Sequence, residues 1–71
     1  MFRQEKYYII CDGVKVLALN DDSQIIWTDD IQKAFLFNDF QEAEIYRRAN
    51  FKKENYRFPL VRPLLIQHLV L

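Results

Sequence analysis

The sequence is poor in the residues that build disulfides, metal sites and phosphate-binding loops. Its 71 residues include one cysteine, Cys11, one histidine, His68, and one glycine, Gly13. A disulfide within the chain is therefore excluded, and a zinc site lacks the cysteine and histidine ligands that zinc requires. P-loops and dinucleotide-binding loops need several glycines, so both are excluded as well. We expect no metal and no cofactor.

A set of catalytic residues is equally hard to assemble. Cys11 and His68 are a conceivable nucleophile and base. Cys11, however, ends an apolar run, where a free cysteine behaves as a small buried hydrophobe. Ser23 is the only serine, and the turn-forming residues at 20–22 explain its position. No third residue is evident to orient a base, so we predict that the protein is not an enzyme and has no catalytic residues.

Long apolar runs are also missing. The longest, residues 63–71, is interrupted by Gln67 and His68 and falls short of the ~18 residues that span a bilayer. The first eight residues are charged and aromatic, unlike a signal peptide. One unpaired cysteine suits a reducing compartment. We expect a cytoplasmic protein that does not contact membranes.

Apolar and aromatic residues are abundant, at 51% and 15% of the chain. A domain of this length buries only ~60% of the surface of its unfolded chain, so its core is small. Either an aromatic-rich core or a homodimer then supplies the stability. The apolar residues at 63–71 exceed the needs of one edge strand. This C-terminal segment either completes a sheet or offers its edge to a second chain, in a homodimer.

Three strands are predicted in the first half of the chain, at residues 6–11, 14–19 and 24–28. Asp12 and Gly13 separate the first two and predict a type I′ hairpin turn, with positive φ at both residues. Alternation places Ile25 and Trp27 on the same face of the third strand. Residues 31–37 predict a turn or helical start, followed by a brief strand at 34–37.

The second half predicts one helix and one further strand. Asp39 and Glu42 match a capping box, so a helix is expected from Phe40 to Asn50 or Lys53. Prolines at 59 and 63 confine residues 56–67 to extended, edge-like structure. The prediction is a single α+β domain over residues 1–71. It has a small antiparallel sheet, a three-stranded meander plus a C-terminal strand, with one helix packed across it. The predicted apolar face of the helix consists of Phe40, Ala43, Tyr46, Ala49 and Asn50.

Opposite charges are segregated along the chain. Residues 1–46 carry a net charge of −5 and residues 47–71 a net charge of +5. The basic stretch at 47–57, RRANFKKENYR, is a possible surface for nucleic acid, with cations for phosphates and aromatics for stacking. The alternative is a helix end whose cations complement the dipole and pair with acids such as Glu44 with Arg48. The candidate nucleic-acid-binding residues are Arg47, Arg48, Lys52, Lys53, Tyr56 and Arg57.

Two acidic turns offer a different surface, one that faces a protein. They lack the spacing and the glycine of a calcium-binding loop, so solvated turns or an acidic rim for a basic partner are the alternatives. The only tryptophan either anchors the core or forms an exposed binding hot spot. The candidate protein-binding residues are Asp21, Asp22, Asp29, Asp30 and Trp27.

The segment from the first strand into the helix is similar to short uncharacterised proteins of Gram-positive bacteria and their phages. Those proteins join a small hairpin to a W-T-D-D … A-x-x-F-x-[DS]-x-x-E-A segment, and the similarity covers residues 7–46. The matching residues are 27–30, Ala34, Phe37, Asp39, Glu42 and Ala43. The shared motif is structural and implies no active site. The resemblance implies a mobile-element accessory protein that binds and inhibits a host factor or defence complex.

Overall fold

The computed structural model describes residues 2–51 and 59–69. The described residues form one antiparallel sheet in the order β3-β2-β1-β4, with a helix packed against one face. This arrangement confirms the predicted α+β class, a meander plus a C-terminal strand. The elements are β1 (Phe2–Cys11), β2 (Val16–Leu19), β3 (Ile25–Thr28), a 3-10 turn (Ile31–Lys33), α1 (Phe40–Asn50) and β4 (Leu60–Leu69).

Strands β1 and β4 form the longest ladder of the sheet. They pair over their whole length, from Phe2 opposite Leu69 to Cys11 opposite Leu60. The sequence predicts a strand only over residues 6–11, and β1 begins earlier because β4 gives the additional residues a partner. Each of the two strands spans about 33 Å, so the pair extends well beyond the four-residue strands β2 and β3.

Pro63 is accommodated in β4 because it faces the outer edge of the sheet. It lies opposite Tyr8. Tyr8 exchanges both of its backbone hydrogen bonds with Phe37, at 2.8 and 2.9 Å, on the side away from β4. Tyr8 and Pro63 are therefore a non-hydrogen-bonded pair. The proline nitrogen points away from β1, toward the outer edge of the sheet. The edge position predicted from the prolines is confirmed.

Residues 35–37 fill a gap between β1 and β2. The two strands pair at a single position, Cys11 opposite Val16. Beyond it, the Phe35 N–H donates to the Leu17 C=O at 2.9 Å, and Phe37 pairs with Tyr8 in β1. The brief strand predicted at 34–37 is therefore reduced to one bridge, because each neighbouring strand offers it only one bonding position.

The hairpin between β1 and β2 turns at Gly13 and Val14. The Asp12 N–H donates to the Lys15 C=O at 3.0 Å, and Asp12 Oδ1 accepts hydrogen bonds from the N–H groups of Val14 and Lys15. Gly13 has a φ of 102°, whereas Asp12 is not in the positive region. The predicted type I′ turn is therefore wrong. The Asp12 side chain holds the loop, and only the glycine adopts positive φ.

The core lies between the sheet and α1. Its buried members are Ile10 of β1, Leu17 of β2, Phe37 and Ala43 of α1. Ile10, Leu17 and Ala43 are fully buried. The small side chain of Ala43 lets the helix approach the sheet closely, and the larger side chains around it fill the remaining space.

Trp27 packs against this core. Its ring centroid lies 5.5 Å from that of Phe51, which follows the helix. Trp27 pairs with Leu17 and Ile25 pairs with Leu19, so both β3 side chains face the layer of α1. The alternation predicted for this strand is confirmed.

Helix α1 begins at Phe40, as predicted, but without the capping box. Asp39 is the N-cap residue, and its side chain makes no capping hydrogen bond. Its carboxylate still lies at the positive end of the helix dipole, as does that of Glu42 in the first turn. The helix ends at Asn50, the earlier of the two predicted limits.

The predicted apolar face of α1 is right at its centre and wrong at its ends. Ala43 is fully buried and Tyr46 is half-buried against the core. Phe40 is 47% exposed, although its ring contacts the core side of the sheet. Ala49 and Asn50 are exposed. The buried contact of the helix is therefore centred on Ala43 and Tyr46.

Shortening the buried Leu17 side chain should destabilise the domain more than shortening an exposed one. Leu17→Ala leaves a cavity beneath α1, and we expect the free energy of unfolding to fall by about 2–5 kcal/mol in a urea titration. Val14→Ala is the control, because Val14 is 84% exposed, and its effect should stay within about 0.5 kcal/mol. Equal effects of the two substitutions would contradict the placement of the core.

Candidate protein-binding groove

An open apolar groove, here called the helix groove, runs between α1 and the chain that leads into it. Residues 35–38 form one wall. The groove has a volume of about 510 Å³ and is wide open to solvent. The other wall is one flank of α1, formed by Glu42, Ile45, Tyr46, Ala49 and Asn50.

Three aromatic rings make the floor of the helix groove firm. The Phe35 and Phe37 ring centroids are 4.8 Å apart, and the Phe37 ring lies 5.4 Å from that of Tyr46. Tyr46 also stacks on Phe35 at 6.1 Å, with an angle of 15° between the rings. Tilted and stacked rings at these distances attract one another beyond simple burial. The groove is therefore preformed, with an apolar base.

Ile45 is the most exposed large apolar side chain of the helix. It is 68% exposed and follows the buried Ala43 by two positions, which places it about 200° around the helix. A second hollow of about 510 Å³ lies on its other side, lined by helix residues from Phe40 to Arg48. Ile45 thus stands between two concave surfaces. Leu36, on the opposite wall of the helix groove, is 39% exposed and adds to the apolar area.

The charges around the groove are partly neutralised within the helix. Arg47 contacts Glu44 at 2.8 Å and is itself 14% exposed, and the Glu44 side chain is 20% exposed. The hydrogen bond from Arg47 lowers the pKa of Glu44, and the same bond raises the pKa of Arg47. Arg48 lies 3.6 Å from Glu44. The pairing of Glu44 with Arg48 predicted from the sequence is therefore present, although the contact with Arg47 is shorter.

The basic stretch at 47–57 is described only at its start. Arg47 is held against Glu44, whereas Arg48 is 76% exposed on the outer side of the helix. Both arginines pair with Glu44 of their own helix. The remaining candidate nucleic-acid-binding residues lie outside the described part of the chain: Lys52, Lys53, Tyr56 and Arg57.

The acidic turns are placed apart. Asp21 and Asp22 precede β3, and Asp29 and Asp30 follow it, so the two pairs lie at opposite ends of the strand. All four side chains are exposed. Asp30 also accepts a hydrogen bond from the Gln32 N–H and caps the 3-10 turn. Among residues 2–51 and 59–69, no cluster of three or more His, Cys, Asp or Glu side chains is placed to hold a metal ion.

The strand register separates Cys11 from His68. Cys11 lies opposite Leu60, and His68 lies opposite Arg3 near the other end of β1. The two positions are about 26 Å apart along the strand. A nucleophile–base pair of these two residues is therefore excluded. The described residues also contain no helix that is long and apolar enough to cross a membrane.

The groove residues are absent from the sites that sequence reasoning singles out. Trp27 and the aspartates draw attention by their type, whereas Ile45 and Leu36 look like ordinary apolar residues. One signal is present in the sequence. Ile45 lies off the apolar face that passes through Ala43 and Tyr46, on a side of the helix where most other residues are polar or charged. An apolar residue there departs from the pattern of a surface helix, whose outer face is polar.

The ion pair between Glu44 and Arg47 should stabilise the helix only above acid pH. The folded pKa of Glu44 is lowered from 4.5, so its contribution is present at neutral pH and lost as the pH falls through the folded pKa. In a double-mutant cycle of Glu44→Gln and Arg47→Gln, urea unfolding at neutral pH should give a coupling of about 0.5 kcal/mol.

The same cycle at strongly acid pH should give no coupling, because Glu44 is then protonated. A coupling that is equal at both pH values would contradict the ion pair as its source. A second cycle with Arg48→Gln is the control. Arg48 is more exposed and farther from Glu44, so its coupling at neutral pH should be smaller.

No protein-family model, curated protein or solved structure matches this chain. The similarity to phage and Gram-positive accessory proteins therefore stays a prediction from the sequence.

Proposed function

We propose that this domain is a non-catalytic module that binds another protein through the helix groove and Ile45. The observation that carries the proposal is the exposed Ile45 side chain, which stands between two hollows. Exposed apolar side chains beside a concave apolar surface are typical of protein-binding sites. Val14 is more exposed but lines neither hollow, and it serves as a reference for ordinary surface exposure.

The chemistry of the groove defines the partner. The rings of Phe35, Phe37 and Tyr46 offer an apolar floor, which suits an apolar anchor such as a leucine or an aromatic side chain. Glu42 lies at the rim. A basic residue beside the anchor would meet this carboxylate, whereas Glu44 is already held by Arg47. The expected ligand is therefore a short protein segment with apolar anchors and a neighbouring lysine or arginine.

The biological setting that we propose follows the resemblance noted in the sequence. A mobile-element accessory protein that inhibits a host factor or defence complex needs to cover a surface and needs no chemistry. A preformed groove with an apolar floor suits this role, because little ordering is required on binding. The module would occupy an apolar segment that the host protein uses for another contact.

Ile45→Asp should abolish binding without unfolding the domain. Ile45 lies outside the core, so urea unfolding of the variant should change little, whereas a charge between the two hollows opposes an apolar partner. Immobilised wild-type protein should retain a partner from a lysate of the source cell, and the Ile45→Asp variant should lose it. Val14→Asp is the matched control and should retain the same partner.

The comparison of the three proteins decides the outcome. A protein species retained by the wild type and by Val14→Asp but lost by Ile45→Asp would support the proposal. Identical retention by all three proteins would contradict the use of the groove. Failure of all three to retain any protein would contradict a protein-binding function under these conditions.

A further inference from the structure

One edge of β1 is open over the part of the strand that extends beyond the core. At Tyr8 this edge is closed by Phe37. Backbone groups of a strand alternate in direction, so Lys6, Gln4 and Phe2 point the same way as Tyr8, away from β4. Within the described part of the chain, the backbone groups of these three residues have no hydrogen-bond partner on that side. All three residues are exposed.

The opposite edge, on β4, is blunted. Along β4, residues whose backbone groups face outward alternate with residues that are hydrogen-bonded to β1. Pro63 is one of the outward-facing residues. Proline has no N–H to donate, and it interrupts any ladder that a further strand would form there. Natural sheets protect their edges in this way. The β1 edge has no proline and offers an unbroken row of donors and acceptors.

The charges of β1 restrict which strand can pair with this edge. Arg3 and Glu5 lie on the same face of the strand and contact each other at 2.8 Å. The Tyr7 hydroxyl donates a hydrogen bond to the Glu5 carboxylate, which fixes the acid in place. A strand that binds here has to present an acid opposite Arg3 and a base opposite Glu5. Strand β1 of a second copy has this pattern.

Among registers that pair several residues of the open edge, only one avoids placing like charges opposite each other. A two-fold axis at Arg3, Glu5 or Lys6 would place each of these residues opposite itself, with equal charge. An axis at Phe2 pairs too few residues. An axis at Gln4 sets two neutral glutamines opposite each other, and Arg3 of one copy opposite Glu5 of the other. The open edge is therefore complementary to itself about Gln4.

The backbone geometry agrees with this register. The outward-facing residues Phe2, Gln4 and Lys6 become the hydrogen-bonded pairs, Gln4 with Gln4 and Phe2 with Lys6 of the second copy. Arg3 and Glu5 then occupy non-hydrogen-bonded pairs, where side chains approach most closely. Each charged side chain gains an opposite charge across the axis and keeps its own neighbour, which gives four alternating charges on one face.

We infer that two copies of this chain associate through the open edge of β1, antiparallel about Gln4, into a continuous sheet β4-β1-β1-β4. The pairing adds strands to the part of the β1–β4 ribbon that extends beyond the core. A two-stranded ribbon by itself has only marginal stability in water. Burial of Phe2, which is 66% exposed in one copy, adds an apolar contribution. The interface is separate from the helix groove. It also differs from the homodimer through the C-terminal segment that the sequence suggests.

Charge reversal tests this register directly, with molecular mass measured by sedimentation velocity across a range of concentrations. The wild type should be a dimer that dissociates on dilution. Arg3→Glu and Glu5→Arg should each raise the dissociation constant about tenfold or more, because each places like charges opposite each other on both sides of the axis. Lys15→Glu makes the same change in the hairpin loop and should leave the dimer intact.

Mixing the two single variants gives the decisive measurement. One copy then carries acidic side chains at both positions and the other copy carries basic ones, so every facing pair is attractive. The one-to-one mixture should regain the dimer, and this result cannot arise from damage to either fold. Ile45→Asp should leave the dimer unchanged, which separates this test from that of the groove.

Three results would overturn the inference. The first is a wild-type chain that stays monomeric at every concentration. The second is a dimer that survives both single reversals, which would place the contact elsewhere. The third is a mixture that is no more dimeric than its components, which would show that the reversals act on folding and not across the axis.

Discussion

The structure depends on a short stretch of backbone, residues 35–37, that joins two strands with little other contact. Strands β1 and β2 share one paired position, next to the hairpin loop. Further along, Phe35 bonds to Leu17 of β2, and Phe37 exchanges both backbone hydrogen bonds with Tyr8 of β1. These bonds hold the diverging strands in one layer. They also satisfy polar groups that would be costly to leave unpaired beside an apolar core.

The same stretch organises the surface as well as the core. Phe37 is buried between the strands and α1, and Phe35 packs beside it, so both rings reach the floor of the helix groove. The chain then turns at residues 38–39 and enters the helix at Phe40, whose ring meets Tyr8 edge to face at 5.7 Å. The position of the helix and the shape of the groove thus have a common origin. A change in this stretch would alter both.

The fold class was predictable because it rests on local patterns, whereas the candidate site was not. The alternation around Trp27, the helix start at Phe40 and the edge position of Pro63 follow from short-range rules of geometry. The bridging role of residues 35–37 depends on Leu17 and Tyr8, which are distant in sequence. Ile45 becomes part of a candidate binding site only because residues 35–38 form the opposite wall of the helix groove. The capping hydrogen bond predicted at Asp39 is absent. Tertiary contacts can therefore also override a local sequence motif.

The long ladder between β1 and β4 affects how the chain is made. β1 leaves the ribosome first and β4 last among the elements of this sheet, so the ladder closes a loop of nearly the whole chain. Contacts that are so distant in sequence slow folding, because the entropy of closing the loop is lost before the contacts form. Until β4 has been synthesised, the edge of β1 that pairs with β4 stays unpaired. Chaperone dependence during translation is therefore expected to be greater than the small size of the domain suggests.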